Sequence, residues 1–444
     1  MSEPSRVWVS GMHQPPGVLD ISSIRSTVEL RELEHELAAV HATSPRLSPF
    51  TTPSFMINYV EHDEYARASD EILVLLAREG YRLVGYLALR LRKEEVLNFA
   101  HLKVEALLTH DSERPHVVSA ATDEARCARA FLQHMVASRW DMLEMMEQDA
   151  TSPFFAAAQE LDDRRFYVRR FAGEPVAVIA NSYPSLAHYY GAMTKKFRQN
   201  LRRSARDLFA LDGIEYLASR DARGAAYLLE SYLEMEGASW KAGGNGTISR
   251  HPERLSFFRH LAAERLPFDI SVELFMHGGR PIAGLINGAF GSGFYALQIA
   301  HDARYDDVAP GSMLLFLAME RVIDDGFEFY NLLHGSTYYK TRWLADVLET
   351  ESVQIFRRGS VPYFKARLGE LRRAVKNRGN TAVKIASFNS LKRTVMARLA
   401  TRPVQAALTR PLTSELEGHV PRLAPQLTRL TRTELVARMP FAVG

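Results

Sequence analysis

The stretch FDISVELFMHGGRPIAGLINGAFGSGFYALQIAH (residues 268–301) decides the fold, together with DARYDDVAPGSMLLFLAMERVIDDGFEFYNLL (302–333) and HGSTYYKTRW (334–343). Its first part holds three short runs rich in β-branched and aromatic residues. The tight turns His277-Gly278-Gly279 and Gly291-Ser292-Gly293 separate them, the pattern of a three-strand meander. A loop closing with Pro310-Gly311-Ser312 opens a helix over 313–325, where apolar residues recur at three- and four-residue spacing. Gly326 stops that helix, and a further strand is expected over 327–332. A Gly-turned loop at the head of a helix presents backbone N–H groups and the positive dipole end, which suits a phosphate or pyrophosphate.

Working outward, 444 residues exceed one ordinary core, so two domains with an appendage are expected. Charged residues at 24% and hydrophobic residues at 46% describe a soluble globular chain. The single cysteine, Cys127, excludes an internal disulfide and fits a reducing compartment. Within DEARCARAFL it reads as a buried small residue rather than a nucleophile. There is no apolar core of signal-peptide length at the N-terminus and no 18-residue apolar run, so the expected location is cytoplasmic. Charge is uneven: residues 357–444 carry 18 Lys+Arg against 4 Asp+Glu, and the first 356 carry 37 against 48. A basic tail on an acidic body can dock internally, or meet a membrane surface or RNA. A membrane partner would put the protein peripherally at the inner face.

A first α/β segment precedes the opening stretch. Residues 1–25 read as irregular, 27–40 as helical and 44–55 as a connector. Strands are expected over 71–77, 83–91, 95–102, 141–146, 166–171 and 175–179, with helices over 122–138 and 153–161. An offset of 199 residues sets Gly80 on Gly279 and Gly85 on Gly284, and both copies then continue with strand, connection, helix and strand. The pattern suggests a duplicated module. The first copy has a longer connection, 110–123, containing Pro115, so an anion site is expected in the second copy alone. A basic helical run follows over 183–211, then a strand over 213–219 and a helix capped by Asp221. A loop with three glycines (239–249) and a helix over 252–265 complete a candidate substrate lid.

The element order, the run KKFRQNLRRSAR (195–206), Ser239-Trp240-Lys241, Pro310-Gly311-Ser312 with Met313-Leu314-Leu315, and GSTYYKTRW (335–343) resemble the GNAT acyltransferase superfamily. More narrowly, the chain resembles its CelD-like or acetyltransferase 6 branch, related to the FemABX peptidyltransferases, over residues 44–367. The resemblance implies a mixed α+β fold of two tandem GNAT-like modules, each a mainly antiparallel mixed sheet flanked by helices, plus a basic helical C-terminal tail. The expected divisions are an N-terminal extension (1–43), a first, non-catalytic module (44–180), a basic connector (181–212), a second, catalytic module (213–362) and the tail (363–444). One departure stands out. Between Gly335 and Tyr339 many relatives carry an acidic residue, and here stand Ser336, Thr337 and Tyr338.

The implied reaction is direct attack of an amine on an acyl-CoA thioester, with acyl-CoA as co-substrate and no metal. Pro310, Gly311, Ser312 and Met313 would take the pyrophosphate, and the pantetheine arm would run beside 294–300. Tyr338 and Tyr339 are the candidate acids for the leaving thiolate, and His301 and His334 the candidate bases. Trp240, Lys241, Gln298, Lys340 and Trp343 are candidate contacts to the acceptor, a small-molecule, amino-acid or glycan-precursor amine. Two alternatives stand beside this: an aminoacyl-tRNA-dependent transferase of FemABX type, and a silent accessory protein in envelope or exopolysaccharide assembly. No zinc spacing, Walker loop, GxSxG elbow or GxGxxG fingerprint is present, which sets metal, nucleotide-hydrolase and serine-hydrolase readings aside.

Overall fold

Two eight-stranded sheets organise the chain. The computed structural model describes residues 18–62, 70–96, 98–108, 111–219, 221–237, 239, 247–264, 266–335, 337–377 and 425–441. The first sheet is ordered β1 (Asp20–Ile24), β2 (Glu71–Glu79), β3 (Arg82–Val96), β4 (Phe99–Ala106), β6 (Met142–Asp149), β15 (Thr350–Arg357) and β7 (Phe166–Ala172), with β5 (Val118–Ser119) paired to β3. The second is ordered β14 (Asp346–Leu348), β8 (Val176–Ala180), β13 (Phe329–His334), β12 (Gly293–His301), β11 (Arg280–Phe290), β10 (Asp269–His277), β9 (Ile214–Ser219) and β16 (Leu427–Thr431). Each sheet is antiparallel except at one place, β4 beside β6 and β12 beside β13, where the pairing is parallel and only three residues long. The expected pair of mixed, mainly antiparallel modules is what the chain builds.

The duplication is legible in the hairpin registers, and these correct the offset. Glu79 pairs with Arg82 in one hairpin and His277 with Arg280 in the other, so the structural offset is 198 and Gly80 corresponds to Gly278. Both glycines sit in the left-handed region, at φ 62° and 57°. Both second strands then bulge at the same step, at Val84 and at Ile282. The third strand of the first module also differs from expectation. β3 runs on to Val96, and the turn falls at Asn98, whose φ is 64°, so β4 starts at Phe99.

The two sheets exchange strands, which the sequence boundaries at 180 and 362 do not express. β8 follows β7 directly in the chain but lies in the second sheet, and β15 follows β14 but returns to the first, between β6 and β7. The two crossing segments touch at Gly173, whose N–H donates to the Thr350 carbonyl at 2.9 Å. A Cβ at Gly173 would stand 2.4 Å from Thr350 Oγ1, so a side chain cannot enter without displacing the crossing.

Between the modules lies a shared apolar core. Val74, Leu76 and Tyr86 of the first sheet pack in it with Leu228, Ile270 and Ile286 of the second module. Phe50, Phe55, Phe257, Phe268 and Tyr295 meet edge to face at its centre. Cys127 is buried under the first sheet, as expected, and burial pushes its thiol up to about 12. The tail departs from the all-helical expectation. Its helix Val361–Asn377 packs on the first sheet, while β16 pairs with β9 and covers that edge of the second. Leu430, Leu435, Met439 and Phe441 then bury in the second module's own core. The run SFNSLKRTVMARL (387–399), whose apolar residues fall along one helical face and would pack on the body or lie at a membrane interface, is outside the described residues. Among the described residues no helix is long and apolar enough to cross a membrane.

Candidate active site

The short parallel pairing of β12 with β13 creates the site. It ends at Tyr295 opposite Asn331, and past that point the strands diverge around a cavity of about 210 Å³. Ala296, Leu297, Gln298 and Ile299 line one side, and Leu332, Leu333 and His334 the other. A bulge at Leu297, which has no partner between Ala296 opposite Asn287 and Gln298 opposite Ile286, turns β12 away at the point of divergence. An edge that has left its neighbour offers unpaired N–H and C=O groups, which an extended amide-bearing chain can bond.

At the far end of β12 the helix Pro310–Asp324 begins. Its N-cap is Ala309, held in the left-handed region at φ 46°, and no side chain caps it. The helices Pro53–Glu61, Lys195–Phe209 and Ala222–Glu236 are, by contrast, capped by the Thr52, Thr194 and Asp221 side chains. Pro310 removes one orphan donor and Ser312 N–H donates to the Ala309 carbonyl, so the first turn's donors divide between the turn and solvent. Gly311 packs against Ile299 and His301 of β12. The helix Lys195–Phe209 lies alongside, burying Phe197, Leu201, Ala205 and Leu208 and exposing Lys195, Lys196, Arg202, Arg203 and Arg206.

The first module reaches into this cleft, which the sequence did not reveal. In place of a short Gly loop, residues 111–117 cross over the diverging strands. Asp111 accepts from Gln298 on β12 and from Arg254 of the helix Pro252–Glu264, the latter at 2.6 and 3.1 Å. Glu113, only 1% exposed, accepts from Asn331 on β13 at 2.6 Å through one oxygen, and its other oxygen, Oε2, has no hydrogen-bond partner. The only signal in the sequence was the unusual length and acidity of this connection.

The expected site residues divide into three groups. His334, Gln298, Tyr339 and Lys340 line the cavity, with Tyr339 40% exposed at its rim. Lys340 is occupied: its ammonium donates to the carbonyls of Leu332, Leu333 and His334 at 2.6, 2.9 and 2.7 Å, holding the end of β13, where Leu333 has φ 58°. Burial pushes it down to about 8, still a cation at neutrality. His301 is elsewhere, at the end of β12 beside Gly311, with its Nε2 2.7 Å from Asp306. It accompanies the helix start and not the cavity. Trp343 departs most from expectation. It is 1% exposed, edge to face on Phe197, with its carbonyl accepting from Tyr189, and is a core residue. Pro310, Gly311 and Met313 are buried and Ser312 half-buried at the helix start. Trp240, Lys241 and the side chain of Tyr338 lie outside the described residues. Glu273 is buried in a chain of bonds from Tyr216 through Asn287 to Tyr330.

The site is thus a mixed sheet opened at its one parallel pair, with an uncapped helix start beside the opening. The family comparison gives the particular branch: residues 195–341 match the acetyltransferase (GNAT) domain of the acetyltransferase 6 family. Residues 195–341 thus form a GNAT domain, and the protein is an acyltransferase by that domain. It is similar in structure to FemX at 9% identity, over 75% of this chain and 96% of that one, with a TM-score of 0.50. It is also similar to the C-terminal domain of a putative lysylphosphatidylglycerol synthetase from Agrobacterium fabrum, at 11% identity over 74% and 92% (TM-score 0.45). A tandem GNAT protein from the clavulanic acid biosynthesis pathway aligns at 13% identity over 76% and 98% (TM-score 0.40). At these identities the likeness concerns the fold alone. No curated protein sequence matches.

Proposed function

We propose that the second module transfers an acyl group from acyl-CoA to an amine, in the cleft between β12 and β13. The observation that carries this reading is the uncapped helix start at Pro310-Gly311, standing at the end of the strand whose edge the divergence frees. The first turn would receive the pyrophosphate, with the basic face of the helix Lys195–Phe209 adding favourable potential. The pantetheine amides would bond the free edge of β12, which delivers the thioester to the cavity. There His334 would take the amine's proton and the neutral amine would attack the carbonyl carbon. Tyr339, at the rim, would supply a proton to the leaving thiolate. Among the described residues no group of three or more His, Cys, Asp or Glu side chains could hold a metal ion, and nothing in this scheme requires one.

The exposed cations of the helix Lys195–Phe209 favour a second reading, a donor carried on RNA. Native mass spectrometry of the purified protein discriminates the two. Retained CoA or acyl-CoA supports the first reading. A protein free of CoA that takes up none on incubation, but binds charged tRNA, would transfer the argument to the second. Binding of neither would point to a silent accessory module.

A further inference from the structure

One residue of the first module stands beside His334 in a strained conformation. On β6, Met146 and Glu147 together face the single residue Ser352 of β15, a bulge that puts Glu147 at φ 52°. The conformation is held by its N–H, which donates to Ser352 Oγ at 2.9 Å. A non-glycine residue in this region is costly and is kept only where the surroundings enforce it. On β13, Leu332 and Leu333 together face Ala177 of β8, a second bulge that sets the direction of His334. The strand exchange brings β15 and β8 to one crossing. The two bulges, one from each sheet, therefore aim their side chains together: Glu147 Oε2 lies 3.7 Å from His334 Nδ1. That nitrogen is buried and has no hydrogen-bond partner.

We propose that the base for the amine is a pair shared between the modules, in which His334 takes the proton and Glu147 of the first module positions it. This rests on the functional reading above and deepens it. With Glu147 facing Nδ1, the ring carries its hydrogen there, and Nε2 keeps the lone pair for the substrate. At 3.7 Å the two form an ion-pair contact that tightens when the ring is protonated. The acceptor arrives as R–NH3+ and gives one proton to Nε2. The neutral amine attacks, the C–N bond forms and the C–S bond breaks, and the thiolate leaves with one proton. The second amine proton departs to solvent, so the sum is amide, CoA thiol and one H+. The other charged groups near the pair are Glu113 of the crossing connection, itself paired with Arg114 at 2.9 Å, Glu174 at the strand exchange and Lys340 of the helix Thr337–Thr341. Burial raises the Glu147 carboxyl above its usual range and the neighbouring Glu174 and Glu113 add to this, while His334 opposes them.

The test reads His334 directly and needs no acceptor. Full-length protein labelled at the histidine ring nitrogens is read by NMR, with His334 assigned from its loss in His334→Gln. In wild type the His334 ring should carry its hydrogen on Nδ1, and in Glu147→Met, which keeps side-chain length but offers no hydrogen-bond acceptor, that preference should be lost. Glu147→Gln should recover part of it, and melting temperatures should stay together. The same ring tautomer in wild type and Glu147→Met would overturn the pairing. Failure of the functional reading shows separately, as no acetyl-CoA binding by wild type whatever His334 does.

Discussion

Replacing Asp111 by Asn should loosen the junction between the modules more than any exposed ion pair could. The carboxylate is bonded by both the Nε and the terminal nitrogen of Arg254, and the side chains are 6% and 5% exposed. Gln298 of the cleft donates to the same carboxylate, and Arg254 lies 5.8 Å from the Phe258 ring. Asn keeps the shape but leaves a buried guanidinium facing a neutral amide. Removing one member of a buried pair costs about 3–5 kcal/mol, because the remaining charge stays desolvated. The midpoint of thermal unfolding should drop on the order of 10 °C. The assay is urea unfolding followed by circular dichroism, with Arg254→Met and the double variant completing a cycle. The double variant should regain part of the loss, since neither charge remains. A loss below about 1 kcal/mol in Asp111→Asn, the worth of an exposed pair, would refute the reasoning.

Three further outcomes follow from the packing. Gly173→Ala forces a methyl to within 2.4 Å of Thr350 Oγ1 and 3.2 Å of the Glu147 backbone, and should cost about 1–3 kcal/mol in urea unfolding. Wild-type stability would show that the strand crossing is loose. Leu435→Ala in the tail's final helix should cost about 2–5 kcal/mol, because the side chain is fully buried in the second module's core. An unchanged protein would mean the C-terminus does not dock there. His116, buried in the crossing connection with Nδ1 bonded to the Arg114 carbonyl, is held down to about 4 by burial. Between pH 6.5 and 4 the unfolded chain binds a proton that the folded chain refuses, so stability falls as pH falls through that window. The full effect is about 3 kcal/mol, and His116→Gln should flatten the slope in pH-dependent unfolding.

Local pattern made much of the second module legible. The meander at 268–301, the helix after Pro310 and the cap at Asp221 all follow from spacing and turn chemistry within a few residues of one another. The duplication was visible too, but the register slipped by one, because two adjacent glycines at 278 and 279 gave no means of choosing between them. What stayed hidden is long-range. Nothing near residue 350 says that β15 leaves its own module, since the decision rests on pairing with β6 and β7, some 180–215 residues away. For the same reason Asp111, Glu113 and Glu147 were not foreseen as neighbours of the cleft. Trp343 and Lys340 were expected at the substrate because a Trp and a Lys near a catalytic loop invite that reading. The fold uses one as core and the other to hold the carbonyls at the end of a distorted strand. His334 does end β13 and line the cavity, but the carboxylate beside it comes from the other sheet.

The central claim, that the helix start at Pro310-Gly311 and the opened edge of β12 hold acyl-CoA, is tested most directly by calorimetric titration of acetyl-CoA into wild type and Gly311→Asp. A Cβ at Gly311 would meet Ile299 and His301 at 3.4 and 3.6 Å, ordinary contact. A carboxylate at a helix start favours the helix itself, so the variant should fold. It would also repel a pyrophosphate, and the account predicts saturable binding to wild type that weakens at least about tenfold in the variant. Equal affinity for both proteins, or no binding to wild type, would contradict it.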